Sequence, residues 1–305
     1  MTKIKDFLNI ASEFLPANKD NFQLGLICIL LNRSLLIEDV PGMGKTTFVK
    51  FFAKTCGLSF QRIQFTSDLL PSDILGVSIY HKESGEFIFK KGPLFAELIL
   101  ADELNRGTPK VQSALLEALE EKQVSIDGKT YPLPDRFCLM ATQNPRGQFG
   151  TYPLPESQLD RFLFKISMGK LSRENEMNLL MSENRSEKIQ TLNKIIDQQT
   201  LDQWSQELKK IEVSRNILDY ILDIVEKTRT AFDVTPLSPR ATRDLLEAAK
   251  AQAYLSDRNY LIPDDVQFVF PYLAGHRLFN TQAYTQSYEL MKAREILEQV
   301  PVRPK

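Results

Sequence analysis

Cysteine is scarce in this sequence, and its positive and negative charges almost cancel. The three cysteines, Cys28, Cys56 and Cys138, are isolated, which excludes the paired spacing of a cysteine metal site and an even-numbered set of disulfides. We therefore expect buried thiols in a reducing compartment. The net charge of -1 and the pI of about 6.2 exclude a strong overall field that would attract nucleic acid or an anionic membrane.

Long hydrophobic runs are also missing. The most apolar stretch, Leu24–Leu31, is far shorter than the roughly 20 residues that a membrane-spanning helix needs. The first residues continue into an amphipathic stretch, without the apolar core and small-residue cleavage site of a signal peptide. We expect a soluble, cytoplasmic protein that does not insert into membranes.

Glycine nearly disappears from the second half of the chain. With 305 residues and 43% hydrophobic content, the chain has core material for one large domain or two smaller ones. The change of composition near residues 168–172 predicts a boundary between an α/β domain, 1–168, and an all-helical domain, 169–305. In the second domain, start signals predict helices at Ser172, Thr200, Ser214, Ser238 and Pro263.

Strands and helices alternate in the first half, which predicts a parallel sheet with right-handed crossovers. The predicted strands are 35–37, 60–65, 97–103, 137–144 and 162–166. Segments 77–90 and 123–132 each show alternation on both sides of a turn that contains glycine, which predicts two hairpins. We favour the first as a projection from the core over an edge hairpin of the sheet. The Asp127-Gly128 pair of the second suits a type I′ turn.

The stretch from Leu35 to Thr47 has the pattern of a phosphate-binding loop. An apolar strand leads through a glycine-rich turn into a helix, so backbone N–H groups and the positive end of the helix dipole face one anion. Lys45 can reach the β- and γ-phosphates, and the Thr46 hydroxyl can ligate magnesium. Asp39 stands where the usual pattern has glycine, so this stretch alone leaves an ordinary strand-to-helix turn as an alternative. The predicted nucleotide contacts are Pro41, Gly42, Met43, Gly44, Lys45, Thr46 and Thr47.

Two consecutive carboxylates, Asp102 and Glu103, end the apolar strand 97–103. Open α/β sheets bind ligands at the carboxyl ends of their strands, and adjacent acids at such a tip are unfavourable without a cation. Asp102 is placed to hold magnesium, usually through water, and Glu103 to activate a water for attack on the γ-phosphate. Each acid alone could be a solvated loop residue. Together with the loop at Lys45 they indicate an ATP site.

Two further side chains are candidates for the same site. Asn144 ends the next inner strand, where its amide can orient the attacking water or cap a turn. Arg240 lies in the first turn of a helix of the second domain, and it either contacts the nucleotide or pairs with Asp244. Weaker cationic candidates are Arg106 and Arg243.

Four segments together resemble the MoxR family of AAA+ ATPases. They are Leu36–Thr46, Leu100–Arg106, Ala141–Pro145 and Thr151–Phe162. The likeness covers about residues 34–166 and continues more loosely through Leu237–Ala241. It implies an AAA+ P-loop core, in which a parallel five-stranded sheet with inserted β-hairpins lies between helices. An all-α C-terminal lid domain completes the expected fold.

The resemblance also implies roles for single residues. Lys45 and Thr46 resemble Walker A, Asp102 and Glu103 Walker B, Asn144 sensor 1, Arg161 the arginine finger and Arg240 sensor 2. The implied ligands are ATP and Mg²⁺, and the implied reaction is hydrolysis of ATP to ADP and phosphate. Which residues line the adenine pocket, and whether Arg240 serves its own subunit or a neighbour, stay open.

The family resemblance further implies an assembly and partners. It implies a homo-oligomer, a hexameric ring or spiral, with nucleotide between protomers. It also implies a chaperone-like remodeller of protein clients, often beside proteins with a von Willebrand factor A domain. Two other functions stay open. A DNA-associated motor has a local hint in Lys82, Lys90 and Lys91, although the chain has no basic, aromatic-interleaved face. A scaffold that uses ATP only to set its assembly state is excluded by no sequence feature.

Overall fold

A computed structural model of the chain describes residues 2–14, 19–40, 42–144, 150–169, 173, 177, 189–231, 234–279 and 285–302. Its strands are β1 (Ser34–Glu38), β2 (Phe60–Gln64), β3 (Gly76–His81), β4 (Glu86–Lys91), β5 (Leu98–Asp102), β6 (Gln123–Ile126), β7 (Lys129–Pro132), β8 (Cys138–Gln143) and β9 (Phe162–Ile166). Its helices are α1 (Thr2–Phe14), α2 (Lys19–Leu31), α3 (Lys45–Thr55), α4 (Pro71–Leu75), α5 (Pro109–Glu121), α6 (Glu156–Leu159), α7 (Gln198–Leu208), α8 (Arg215–Thr230), α9 (Pro239–Leu255), α10 (Pro263–Leu278) and α11 (Gln286–Glu298).

The central sheet has five parallel strands in the order β2-β5-β8-β1-β9, which confirms the predicted parallel sheet. β5, β8 and β9 are buried along their whole length, as expected when helices cover both faces of a parallel sheet. Because all five strands run in one direction, the carboxyl ends of β1, β5 and β8 lie along one edge. The predicted site residues other than Arg161 and Arg240 lie at or after these three strand ends.

Alternate residues of β1 pack into two separate hydrophobic clusters. Leu35 and Ile37 belong to a cluster that includes residues of α1, α2, α3 and the helices after β9. Leu36 belongs to the other cluster, which includes residues of α5. Side chains alternate between the faces of a strand, so both faces of this inner strand are covered by other parts of the core.

Both predicted hairpins are present, and neither joins the central sheet. β3 pairs with β4 and β6 with β7 as separate two-stranded antiparallel sheets, so the alternative of an edge hairpin is wrong. The ring of Phe89 stacks on that of Tyr131 with centroids 4.1 Å apart, which joins the two hairpins. Asp127 and Gly128 have φ angles of 51° and 73°, and a type I′ turn needs positive φ at both positions.

The part of the chain after β9 is helical, and its described residues contain no strand. Ser214 and Ser238 precede α8 and α9 as predicted. The Ser238 hydroxyl accepts a hydrogen bond from the backbone N–H of Ala241 at 3.1 Å, as an N-cap does. The domain boundary near residues 168–172 stays a prediction.

The helix start predicted at Thr200 is wrong by a few residues. α7 begins at Gln198, because the carboxylate of Asp197 accepts the backbone N–H of Thr200 at 2.7 Å and is the N-cap. The helix predicted to begin at Ser172 lies outside the described residues. Over the ranges that the structure describes, no helix has both the length and the apolar character that a membrane span requires.

Buried charges join β9 to the helices that follow it. The Lys165 Nζ of β9 lies 2.6 Å from a carboxylate oxygen of Glu289 on α11 and 3.5 Å from one of Glu38 at the end of β1. On α10, Arg277 donates a hydrogen bond to Asp160 at 2.8 Å. Its guanidinium also lies 3.4 Å from Asp244 of α9. These contacts hold the helical part against β9, which is the neighbour of the strand that leads into the phosphate loop.

Candidate nucleotide-binding site

The loop between β1 and α3 has the backbone that a phosphate cradle needs. Gly42 and Gly44 have φ angles of 87° and 82°, a region that side chains other than glycine rarely adopt. No atom lies within 4 Å of a Cβ built on either glycine, so the loop faces open space. Gly44 is the N-cap residue of α3 and makes no side-chain cap, which leaves the first N–H groups of the helix available to an anion. Pro41, one of the predicted contacts, lies outside the described residues.

Asp39 connects this loop to the end of β9. Its carboxylate accepts hydrogen bonds from the Ser167 hydroxyl at 2.9 Å and from the backbone N–H of Met168 at 2.5 Å. Its backbone oxygen accepts a hydrogen bond from the Lys45 Nζ at 2.5 Å. Asp39 is not among the residues with positive φ, so glycine is not needed here. The departure from the usual loop pattern therefore supplies an anchor without straining the backbone.

Lys45 is buried at the start of α3 and lies in the field of the carboxylates at the strand ends. Burial lowers the pKa of Lys45, and the negative charges of Asp39, Asp102, Glu103 and Glu38 act in the opposite direction. β8 separates β1 from β5, which puts the two strands about 10 Å apart at the usual spacing. The structure thus brings the Lys45 loop and the carboxylate pair to one edge, with room for phosphates between them.

The carboxylate of Asp102 is buried at the tip of β5 and has a partner on each oxygen. The Thr142 hydroxyl of β8 donates to Oδ1 at 2.6 Å. Arg62 of β2 donates to Oδ2 from Nε at 3.0 Å and from Nη2 at 2.6 Å. The Asp102 carboxylate is therefore fixed in direction by two neighbouring strands.

Glu103 follows directly, in the left-handed region with φ of 56°. Its backbone N–H donates to the Thr142 hydroxyl at 2.8 Å, so Thr142 orients both acids. Its carboxylate Oε2 accepts a hydrogen bond from Gln64 Nε2 at 3.1 Å and forms an ion pair with Arg106 at 3.1 Å. Oε1 accepts from the Asn144 amide at 3.3 Å. A non-glycine residue at positive φ is uncommon, and here it turns the acid toward these donors.

Asn144 follows β8 and lies beside Glu103. Its side chain is buried, and among the described residues its Oδ1 has no hydrogen-bond partner. Asn105 donates from its amide to the backbone oxygen of Asn144 at 3.3 Å and holds this strand end in place. An unpaired buried acceptor is unfavourable, and a water or phosphate hydroxyl would satisfy it.

Arg161 and Arg240 lie together, away from the other predicted site residues. Both form ion pairs with Glu120 near the end of α5, Arg161 at 2.7 Å and Arg240 at 3.1 Å. Arg161 follows the short helix α6 and does not lie within it. The alternative pairing of Arg240 with Asp244 is wrong, because Asp244 pairs with Arg33 at 2.9 Å and with Arg277.

The side chains present fit a magnesium ion that is shared with a nucleotide. Across the described ranges, no group of three or more histidine, cysteine or acidic side chains could hold a metal ion by itself. Magnesium is usually bound through one or two carboxylates together with phosphates and water. The Asp102 carboxylate and the Thr46 hydroxyl supply oxygen donors of this kind.

Comparison with known proteins identifies the family to which the chain is similar. A family model described as ATPase family associated with various cellular activities (AAA) matches residues 34–164, and an AAA lid domain model matches residues 227–300. The chain is 47% identical over 256 residues to the uncharacterized protein YeaC of Bacillus subtilis, with 84% of this chain and 80% of YeaC covered. It is 39% identical over 270 residues to the chaperone MoxR1 of Mycobacterium tuberculosis, with 84% of this chain and 70% of MoxR1 covered.

The chain belongs to the MoxR family of AAA+ ATPases. The crystal structure of an inferred ATPase from Cytophaga hutchinsonii has the same fold, with a TM-score of 0.82, 35% identity and coverage of 99% of this chain and 98% of that chain. The predicted family and the predicted fold, an AAA+ core with a helical lid, are therefore confirmed. Members of this ATPase family bind nucleotide, and the roles of single residues stay predictions.

A cavity of about 380 Å³ lies between α2, the segment after β9 and two helices of the C-terminal part. Its lining includes Asn21 of α2, the Ser167–Gly169 segment after β9, and Tyr272 and Gln286 of the lid helices. Asp39 contacts two of the same residues, Ser167 and Met168. The volume lies in the range of small-ligand pockets, so this cavity is the candidate base pocket that the sequence did not reveal.

Sequence reasoning also missed Arg62, Gln64 and Thr142. Arg62 and Gln64 are alternate residues of β2, so they face the same side of the strand. The register pairs Gln64 with Asp102, which places both polar side chains beside the carboxylates. The sequence signal for Arg62 and Gln64 was their alternate spacing near the end of a predicted strand, which indicates two polar side chains on one face. Without the strand order, however, no sequence pattern shows that β2 lies next to β5.

Proposed function

We propose that this MoxR-family chain binds ATP with Mg²⁺ between Lys45 and Asp102 and hydrolyses it at an interface between protomers. The observation that carries this proposal is the edge of the sheet, where a buried lysine in a glycine-rich loop lies in the field of Asp102 and Glu103. The buried acid Asp102 at the strand tip favours a cation, and open helix N–H groups favour an anion. A magnesium nucleotide supplies both charges.

The chemistry follows from the partners of each residue. The loop N–H groups and Lys45 would bind the β- and γ-phosphates, and Thr46 and Asp102 would hold the magnesium ion. When bound, this ion would neutralise charge that develops on the phosphates. Glu103 would take up a proton from the attacking water. Asn144 would orient that water with its amide oxygen, which has no hydrogen-bond partner among the described residues.

The positions of Arg161 and Arg240 support action on a neighbouring subunit. α5 begins at Pro109, six residues after Glu103, and both arginines bind Glu120 near its other end. From Pro109 to Glu120 the helix rises about 16 Å, which is more than an arginine side chain can span. In a cyclic homo-oligomer, such as the hexameric ring or spiral that the family resemblance implies, these two guanidinium groups would face the nucleotide of the next protomer.

The hairpin β3–β4 supports protein clients over nucleic acid. Five exposed apolar side chains lie on it: Val77, Ile79, Tyr80, Phe87 and Ile88. An exposed apolar surface of this kind is typical of protein interaction sites, whereas nucleic-acid surfaces are basic. We therefore propose a chaperone-like remodeller of partner proteins, and the name of the relative MoxR1 agrees with this. Partners with a von Willebrand factor A domain, a cytoplasmic location and domains at 1–168 and 169–305 belong to the same proposal.

Subunit mixing tests hydrolysis and the shared interface together. We expect Glu103→Gln alone to lower steady ATP turnover about a hundredfold or more while nucleotide binding persists. We expect Arg161→Ala alone to lower it about a thousandfold. A one-to-one mixture should recover about a quarter of the wild-type turnover, because a quarter of the head-to-tail interfaces then combine an intact Glu103 with an intact Arg161.

Glu121→Gln is the matched control, since Glu121 is an exposed glutamate at the end of α5. Its turnover should equal that of the wild type. A mixture as inactive as its two components would contradict the shared interface. Unchanged turnover in Glu103→Gln would contradict the assignment of the water-activating residue.

A further inference from the structure

Two side chains, Arg62 and Gln64, link Asp102 to Glu103 by hydrogen bonds. This connection is separate from the one through Thr142. Asp102 accepts from Arg62 Nε and Nη2 on one oxygen. The same Arg62 Nη2 donates to Gln64 Oε1 at 2.7 Å. Gln64 in turn donates from Nε2 to Glu103 at 3.1 Å. The acid proposed to hold magnesium is thus connected to the acid proposed to activate water.

Arg62 and a divalent cation would both be held by the carboxylate of Asp102. Thr142 already donates to Asp102 Oδ1, and Oδ2 carries both N–H groups of Arg62. A divalent cation held by this carboxylate, directly or through water, would lie close to the guanidinium, and the two positive charges would repel each other. The competition is therefore between two cations for one buried carboxylate.

Arg62 is able to leave this position. It lies on β2, an edge strand of the central sheet, and its side chain is 47% exposed while that of Asp102 is 10% exposed. An ion pair with one half-exposed partner contributes little net stability. Solvent can therefore take up the guanidinium when another cation binds Asp102.

Movement of Arg62 would change the hydrogen bonds that the Glu103 carboxylate accepts. The contact with Arg62 Nη2 fixes which end of the Gln64 amide faces Glu103. Without that donor the amide is free to rotate, and Glu103 keeps its contacts with Arg106 and Asn144. One fewer donor on the carboxylate leaves it more available to a water proton.

We propose that Arg62 is a positioning residue that competes with the magnesium ion of the bound nucleotide for Asp102 and passes this exchange through Gln64 to Glu103. This inference rests on the proposed function. It makes metal binding and release of the water-activating acid one coupled event. By the reciprocity of linked equilibria, any change that loosens Arg62 must strengthen metal binding.

Manganese binding to the full chain tests this without using turnover. The probe is Mn²⁺ in the presence of ADP, followed by the electron paramagnetic resonance signal of the free ion. We expect Arg62→Gln to lower the half-saturating Mn²⁺ concentration about fivefold, the equivalent of a weak ion pair. Binding of a fluorescent ADP in EDTA should be unchanged. A merely structural role of Arg62 would alter both measurements.

Arg106→Gln is a closely matched control. Arg106 is also 47% exposed and pairs with an acid of the same site, but with Glu103 and not with Asp102. Arg106→Gln should shift the half-saturating Mn²⁺ concentration less than about twofold, because Arg106 acts on the metal site only through its charge, which salt screens. Gln64→Leu removes the second acceptor of Arg62 and should shift Mn²⁺ binding in the same direction as Arg62→Gln, by about twofold.

Each outcome decides a separate point. Equal shifts in Arg62→Gln and Arg106→Gln, or no shift in Arg62→Gln while ADP still binds, overturn the competition. No shift in Gln64→Leu overturns the link to Glu103. If the wild-type chain binds no ADP at all, the proposed function fails, and this inference fails with it for a distinguishable reason.

Discussion

Charged side chains gather in two regions of this chain, and the two differ in exposure. At the outer edge of the candidate site, Arg62 and Arg106 are each 47% exposed. At the junction between β9 and the lid helices, Lys165 and Arg277 are each 4% exposed. The first pair can exchange partners with a ligand at little cost. The second pair cannot move without leaving a buried charge uncompensated.

The difference in exposure corresponds to a difference in role. The exposed charges lie where we propose that a ligand binds, and the buried charges join parts of the fold. Of the junction charges, Lys165 pairs with Glu38, the last residue of β1. Asp39, next to Glu38, anchors the loop to the segment after β9. A rigid support at this point fixes the positions of the loop glycines and of Lys45 relative to β5. The exposed charges lie where a nucleotide and its metal ion would arrive.

Among changes that test the contrast between the two regions, Lys165→Met is expected to have the largest effect on stability. This change leaves Glu289 and Glu38 buried without their cation, which should lower the free energy of unfolding by about 3–5 kcal/mol. Urea denaturation followed by circular dichroism measures it. Adding Glu289→Gln should restore part of the loss, since the two sites are directly coupled. A loss below about 1 kcal/mol in Lys165→Met would show that the junction charges behave like surface pairs.

A much smaller effect on stability is expected from Arg62→Gln. Its half-exposed ion pair with Asp102 should contribute less than about 1 kcal/mol to the free energy of unfolding. The same urea titration gives the value. If Arg62→Gln destabilises the chain as much as Lys165→Met does, the contrast between the two regions is wrong.

The sequence predicted those features of the fold that depend on neighbouring residues. The loop after β1, the acids at the tip of β5 and the Asp127-Gly128 turn are each encoded within about a dozen residues, so pattern alone located them. The helix start at Thr200 was misplaced because Asp197, three residues earlier, is an equally good cap and its carboxylate is the one that accepts the N–H.

Contacts between distant segments could not be predicted in this way. Arg240 pairs with Glu120 across 120 positions of the sequence, although Asp244 is the nearer acid along its own helix. Arg62 reaches Asp102 only because the sheet places β2 beside β5. The cavity of about 380 Å³ similarly combines α2, the segment after β9 and two lid helices. In each case the missing information was tertiary packing.

Nucleotide binding by Lys45→Ala tests the central claim, that the Lys45 loop and the Asp102 pair form one ATP site, most directly. Titration with a fluorescent ATP analogue and Mg²⁺ should show affinity weakened about ten- to a hundredfold, because a charge-assisted contact to phosphate is lost. Lys54→Ala, in the last turn of the same helix, should bind like the wild type. Equal affinity of all three proteins would contradict the account.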